Sequence, residues 1–400
     1  RAGAGAAGGP VIQLDLRIVR VESWGAALLY FTGSKDHNVE LRQRALSMGL
    51  TLNEYGLFPE DKEPTPPQQR GVKPVAGRTE ESVYQTLGLP WLPPEVREQR
   101  GETGLKSTPR LIEVGDVRAE LHAHTTASDG SLEIEELAEL YKARGFHTIA
   151  VTDHSRSATI ANGLSTDRLR QHVEDIARAR SVVKGITILA GSEVDILADG
   201  SLDYPDSVLA LLDVIVASPH VALSQEPEAA TKRLVAAVTH PRVHILGHPT
   251  GRLINRRPGL EPDMDAVIAA AKEHRTALEI NAHWMRLDLR DTHVRRAVDA
   301  GCLIAIDCDT HVPEDADNLR YGVMTARRGW VTPERCVNAW EQPKLMEWLA
   351  SKRPGGTRVT AATGGAAGEQ KPQARTPRAP TKAAKDTPAA RGSTRRRSTE

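Results

Sequence analysis

The sequence predicts an α/β protein whose larger part is a barrel of seven parallel strands, with a smaller module ahead of it. Three observations lead there. After residue 108, short apolar, β-branched runs alternate with helix-length amphipathic segments, the pattern of parallel strands with helices packed outside them. The 400 residues are 40% hydrophobic, enough for two or three domains with real cores. Histidines and carboxylates recur just beyond the carboxyl ends of the apolar runs, where the loops of a barrel converge on one axis.

In chain order, residues 11–19 alternate apolar and polar side chains and predict a strand with Asp15 and Arg17 on one face. Gly33-Ser34 predicts a turn opening a helix over 36–48, whose free amides can hold a phosphate. Gly49 stops that helix, and a short strand over 50–55 returns. The polar, Pro-rich stretch between Phe58 and Arg78 reads as a loop, and residues 101–108 as a domain boundary. Seven strands are expected at 119–123, 148–152, 186–190, 213–217, 243–246, 277–280 and 303–306. Ser131 is expected to cap a helix over 132–144 closed by Gly145, and a final helical stretch is expected over 333–351. From residue 354 the chain carries ten Lys/Arg against Glu369, Asp386 and Glu400 and few apolar side chains. It reads as a disordered basic tail. Because the whole chain balances 52 Lys/Arg with 52 Asp/Glu, the part before the tail is net acidic. Cys302, Cys308 and Cys336 show no paired or metal-type spacing, which fits a reducing compartment. The sequence has no apolar run of membrane-spanning length and no signal-type start, so a soluble, cytoplasmic monomer is expected. It opens with Arg1 rather than Met and is expected to be a fragment.

The chemistry centres on Glu120-Leu-His-Ala-His-Thr-Thr-Ala-Ser-Asp-Gly130. Two imidazoles two residues apart on a strand can chelate one ion, although a lone His-x-His also occurs on wet strand faces. The later strands change the balance. His124 and Asp129 follow the first, Asp153-His154 the second, Glu193 the third, His220 the fourth, His248 the fifth, and Asp309 and His311 the seventh. The sixth offers Asn281 and His283. Imidazole plus carboxylate without thiolate suits Mn²⁺, Zn²⁺ or Fe²⁺ over Mg²⁺ or Ca²⁺. Six histidines and three carboxylates (His122, His124, His154, His220, His248, His311, Asp129, Glu193 and Asp309) exceed the needs of one ion, whereas three ions sharing bridging ligands would use them all. Such a cluster clamps phosphate, lowers the pKa of bound water and neutralises a leaving oxygen, which implies phosphoester hydrolysis. Arg252, Arg256 and Arg257 follow His248 and read either as a solvated charge run or as phosphate contacts, Arg252 foremost.

Two resemblances add to this reading. Leu-Asp-Leu-Arg at 14–17, Tyr-Phe-Thr-Gly-Ser at 30–34, Leu-Asn-Glu-Tyr at 52–55 and Gly-Leu-Pro-Trp-Leu-Pro-Pro-Glu at 88–95 resemble the palm edge and the nucleotide-binding, thumb-type subdomain of family X DNA polymerases. The resemblance implies that Asp15 is the third metal-binding carboxylate of the polymerase site. It implies that Tyr30, Phe31 and Gly33 wall off a ribose 2′-hydroxyl, and that Asn38 and Arg42 face the nascent base pair and template. The family's paired Asp-x-Asp does not precede this pattern. Two-metal phosphoryl transfer needs all three carboxylates, so polymerase activity is expected only of an intact member.

The motifs His122-x-His124, Thr152-Asp-His154, Gly191-Ser-Glu193, Ser218-Pro-His220, Gly247-His248-Pro and Asp309-x-His311 resemble the polymerase and histidinol phosphatase (PHP) domain, a distorted (β/α)7 barrel. By that family's scheme His122, His124, Glu193 and Asp309 hold one ion, and Glu193 bridges to a second held by His220 and His248. Asp129, His154 and His311 hold the third, and Asp153 orients a ligand. Glu193, Asp309 and His124 are then the residues expected to carry catalysis. A family X core followed by a PHP domain is the layout of bacterial PolX. This implies a DNA-repair protein acting as a Mn²⁺-dependent 3′-5′ exonuclease on gapped or primer–template 3′ ends, with Zn²⁺ as an alternative metal. The implied divisions are 1–20 palm fragment, 21–110 thumb-type subdomain, 111–350 PHP domain and 354–400 tail. Two other readings stand beside it: a small-molecule phosphatase of the histidinol phosphate type, and a non-catalytic PHP module that stabilises a polymerase.

Overall fold

A computed structural model describes residues 12–352. Residues 12–20 have no regular structure, so the strand expected over 11–19 does not form, and Val11 lies outside the described residues. A strand needs a ladder partner, and none of the described residues supplies one. Ile12, Leu14, Leu16 and Ile18 are consequently exposed.

The first module is built from helices α1 (Trp24–Tyr30) and α2 (Lys35–Ser47), the hairpin β1 (Leu50–Asn53) and β2 (Gly56–Pro59), and helix α3 (Glu80–Thr86). Ser34 caps α2 by accepting the His37 N–H, and Thr79 caps α3 by accepting the Ser82 N–H. Each satisfies an amide that the helix cannot. The expected strand over 50–55 is a hairpin arm that turns at Glu54-Tyr55, where Asn53 accepts the Tyr55 N–H. Its core gathers Leu29, Leu41, Leu57, Val83, Tyr84, Leu87 and Leu92. Fully buried Arg97 is neutralised by both oxygens of Glu80 at 2.6 and 2.9 Å.

The second module is a sheet of seven parallel strands in sequence order: β3 (Ala119–Glu120), β4 (Thr148–Val151), β5 (Thr187–Asp195), β6 (Val214–Ser218), β7 (Ile245–Leu246), β8 (Ala277–Asn281) and β9 (Ile304–Asp307). A bridge from Ala123 to Thr310 brings the two edges together, so the barrel is nearly closed. Helices α4 (Ile134–Ala143), α5 (Thr166–Val182), α6 (Asp206–Leu209), α7 (Pro227–Thr239), α8 (Met264–His274) and α9 (Asp291–Ala300) connect the strands. Two further helices, α10 (Leu319–Arg328) and α11 (Gln342–Ser351), follow.

The period of two decides what enters the barrel. Val214 and Val216 of β6 join Ala150, Leu189, Ile245, Ala277 and Ala305 in the inner cluster, closed by Trp340, Trp348 and Leu349. Ile215 and Ala217 face the helices with Ile149, Val151, Leu278 and Ile280. Along the inner rows apolar residues give way to acids and an amide toward the carboxyl ends: Leu189, Gly191, Glu193; Ala277, Glu279, Asn281; Ala305, Asp307, Asp309. These polar ends form the site.

Three local expectations are corrected. Glu133, not Ser131, begins α4, through a reciprocal capping box with Glu136; the Ser131 hydroxyl instead donates to the His311 carbonyl. Glu193 lies within β5 rather than beyond it, because the ladder continues to Asp195. The helix expected over 333–351 is two single 3-10 turns, Pro333–Arg335 and Val337–Ala339, followed by α11. Cys336 and Trp340 are extended between these pieces. A proline is tolerated only in the first turn, so Pro333 and Pro343 each start a helical segment. Residues 354–400, expected as a disordered tail, lie outside the described residues.

Candidate metal centre

All nine residues expected as ligands converge at the carboxyl end of the barrel. Three groups have ligand atoms within 4.8 Å of one another: His122, His124, Glu193 and Asp309; His124, Asp129, His154 and His311; and His154, Glu193 and His220. The first is the set expected for one ion. The second adds His124 to the expected Asp129, His154 and His311. The third takes His154 where His248 was expected, yet His248 Nε2 is 2.7 Å from Glu193 Oε1.

Glu193 is the hub. His122 Nε2 and His220 Nε2 lie 3.3 Å from its Oε1, and His154 Nδ1 lies 2.9 Å from its Oε2. His124 Nε2 is 3.0 Å from Asp309 Oδ1; His154 Nε2 and His311 Nε2 are each 3.5 Å from Asp129 Oδ1. His248 and Asp309 both adopt left-handed backbone, at φ 22° and 53°. That conformation is costly for non-glycine residues and tends to persist at functional sites.

The residues fit a set of divalent ions. Buried His122 Nε2, His124 Nδ1, His154 Nδ1 and Glu193 Oε2 lack a well-formed hydrogen bond, which buried polar atoms rarely tolerate. Electrostatics agree with strong mutual attraction. Burial works against the charge on Glu193, but His220, His122, His154 and His248 hold it well below the usual carboxylate range. Asp309 is lowered too, burial being outweighed by His122, His124 and His311. Burial also opposes protonation of the histidines, yet facing carboxylates raise His154 to about 10 and His220 and His311 to about 9. Burial wins at His124, lowered to about 4 with help from His311 and His154, and at His248, lowered to about 3 with help from Arg286.

Other expected residues fall elsewhere. Asp153 accepts from Thr125 N (2.9 Å) and Thr125 Oγ1 (2.7 Å), and from Ser128 N–H (3.1 Å). It braces the loop that carries Asp129 rather than touching a ligand side chain. Arg252 is not a free phosphate contact: its guanidinium donates to the carbonyls of Arg286 and Leu287. Arg257 donates to Gly251 O, leaving Arg256 exposed. Asp15 is exposed and accepts from Gln13 at 3.2 Å. Tyr30 and Phe31 are exposed and meet edge-to-face at 5.0 Å. Gly33 has φ 87°, and a Cβ there would meet Arg97 Cβ at 2.7 Å. Asn38 is half-buried and donates to Ser34 O, while Arg42 is exposed one turn further along α2.

Sequence reasoning missed Glu279, Asp195 and Arg286. Glu279 Oε1 is 2.6 Å from His122 Nδ1, and its Oε2 accepts the His248 N–H at 2.5 Å. Asp195 Oδ1 is 2.5 Å from His220 Nδ1. Each carboxylate turns the other ring nitrogen toward Glu193, as carboxylates behind metal-bound histidines do. The inner row of β8 (277, 279, 281) was the available signal for Glu279. Arg286 Nε approaches Asp309 Oδ2 at 3.4 Å.

A nearly closed parallel barrel with these buried clusters defines the second module as a PHP domain, and residues 120–283 match that family's model. Residues 27–98 match the DNA polymerase beta thumb. The chain is PolX-like, joining that thumb to a PHP domain: it is 41% identical over 338 residues to the DNA polymerase/3′-5′ exonuclease PolX of Bacillus subtilis (strain 168). The match takes in 82% of this chain and 56% of the relative, so the chain spans little more than half of that protein's length. A "Probable phosphatase" of Thermoanaerobacter sp. (strain X514) is 28% identical over 244 residues, 58% of this chain and 94% of that one. Among solved structures, the histidinol phosphate phosphatase of Lactococcus lactis, complexed with zinc, L-histidinol and phosphate, covers 54% of this chain and 95% of its own at 16% identity and a TM-score of 0.39.

Proposed function

We propose that the PHP domain hydrolyses DNA phosphodiesters at 3′ ends, as a metal-dependent 3′-5′ exonuclease of the PolX type. The observation that carries this is the convergence of three ligand groups on buried Glu193 and His124, with Asp129 at the exposed edge of the site. His122, His124, Glu193 and Asp309 would hold one ion, His220, His248 and Glu193 a second, and Asp129, His154 and His311 a third, with Mn²⁺ as the activating metal. When bound, such ions supply a water of lowered pKa and charge stabilisation for the displaced oxygen. The chain's own residues do the rest. Glu279 and Asp195 hold His122 and His220 with Nε2 turned inward, and Asp153 keeps the loop bearing Asp129 in place. Arg286 supplies a fixed cation at the edge of the cluster for an incoming phosphate. The thumb, proposed to span residues 21–110 ahead of a PHP domain over 111–350, would present gapped or primer–template DNA through the faces bearing Tyr30, Asn38 and Arg42. The likeness to the Thermoanaerobacter phosphatase supports a second reading, hydrolysis of a small phosphomonoester.

The test is Glu193→Ala. It is expected to abolish release of nucleotides from 3′-labelled DNA with Mn²⁺ and to lower bound metal, measured by mass spectrometry, while circular dichroism stays unchanged. Wild-type nuclease rates in that variant would overturn the assignment. Turnover of a phosphomonoester with no release from DNA would favour the second reading.

A further inference from the structure

We propose that the stacked pair His283–Trp284 is a base-stacking platform, so that the site recognises the terminal nucleobase of a strand as well as its phosphate. This rests on the phosphodiester reading above. The Trp284 ring lies 5.8 Å from that of His283 at an interplanar angle of 23°. It is 57% exposed, so the imidazole lies beside the indole while much of the side chain remains open.

The pair borders the ligand cluster through short links. The His283 N–H donates to Asn281 Oδ1 at 3.1 Å, and Asn281 Nδ2 donates to Asp309 Oδ2 at 3.0 Å. On its other side His283 Nε2 is 3.9 Å from Asp315, whose second oxygen accepts the His311 N–H at 3.0 Å. The turn is held rigid. The Arg286 N–H donates to His283 O at 2.7 Å, and Met285 O accepts the Ile254 N–H at 2.7 Å. Arg252 clamps the carbonyls of Arg286 and Leu287, which explains why that arginine is withdrawn from the rim. The same turn points Arg286 at Asp309.

A flat aromatic face and a cation on one braced turn beside a buried ligand cluster match one chemical class, a nucleotide unit with a base and a phosphate. Every base has a π-face, so such a platform is tolerant of sequence. A sugar phosphate has no aromatic ring to occupy it, and the single imidazole of a histidinol phosphate offers a smaller face than a nucleobase.

The experiment measures binding of a fluorescent single-stranded oligodeoxynucleotide by anisotropy in the presence of chelator. The same strand ending in a 3′ abasic residue serves as the control, and wild type, Trp284→Ala and Trp284→Phe are compared. Wild type should bind the base-bearing end about tenfold more tightly than the abasic end, the scale of one aromatic–base stack. Trp284→Ala should erase that preference, and Trp284→Phe should keep most of it. An undiminished preference in Trp284→Ala, or none in wild type, overturns the platform. Hydrolysis of the same strands with Mn²⁺ separates the two readings. A preference without hydrolysis sinks only the nuclease reading, and hydrolysis without a preference sinks only the platform.

Discussion

Glu193 sits among His122, His154, His220 and His248, with a histidine nitrogen within 3.3 Å of each carboxylate oxygen. It can therefore serve two neighbouring positions at once, as a bridging ligand must. The orientation of its partners depends on carboxylates one layer out. Glu279 is the clearest, because it holds the His122 ring through Nδ1 and the His248 backbone through N–H with its two oxygens. Glu279→Ala removes both contacts and should weaken metal binding about 10- to 100-fold, read by isothermal titration with Mn²⁺ or Zn²⁺. Glu279→Gln keeps an acceptor and should lose less. Equal affinity in wild type and Glu279→Ala would remove Glu279 from the site. The nine expected ligands were legible because their spacing from strand ends is written in the sequence. Glu279 was not, because an acid inside an apolar run gains its meaning only from the ring it faces.

At the level of elements, the thumb module depends on close approach. Gly25 on α1 lies against the backbone before α3, where its N–H donates to Arg78 O and the next donates to Gly77 O. A Cβ at Gly25 would meet Thr79 C at 2.1 Å, a clash with backbone that no rotamer relieves. Gly25→Ala should therefore destabilise the thumb by about 1–3 kcal/mol, despite alanine's better helix propensity. The check is a denaturant melt followed by a signal from the first module; an unchanged midpoint would mean that α1 can shift without cost. Residues 12–20 show the converse. Their alternation is a strand pattern, but alternation describes a chain able to pair, and pairing needs a neighbour.

Across the whole molecule, the modules meet through charge. Arg327 reaches Glu95 at 2.6 Å and Arg328 reaches Glu98 at 2.9 Å. Arg100 and Arg328 share Asp291 at 3.0 and 3.4 Å. Among the described residues no helix is long and apolar enough to cross a membrane. The tail beyond residue 353 carries ten Lys/Arg against three acids and no aromatic residue, so aromatic stacking on bases is closed to it and phosphate attraction is the contact expected of it. Each neutralised phosphate adds roughly 0.9 to the slope of log affinity against log salt. If about half the excess charge engages, deletion after Arg353 should flatten that slope by roughly 3, measured by salt titration without metal. Equal slopes would leave the tail a solvated appendage.

By itself the sequence determined the α/β class, the number of barrel strands and the carboxyl end at which the histidines and acids gather. Those follow from periodicity and from the reach of loops beyond strand ends, both local properties of the chain. The tertiary structure decided the length of each ladder, which carried Glu193 into β5 and left β3 only two residues long. It decided that Arg252 spends its guanidinium on a neighbouring loop while Arg286 faces Asp309. It also withheld a strand from residues 12–20. Each of these outcomes depends on which groups from distant parts of the chain arrive within hydrogen-bonding distance, and no local pattern encodes that.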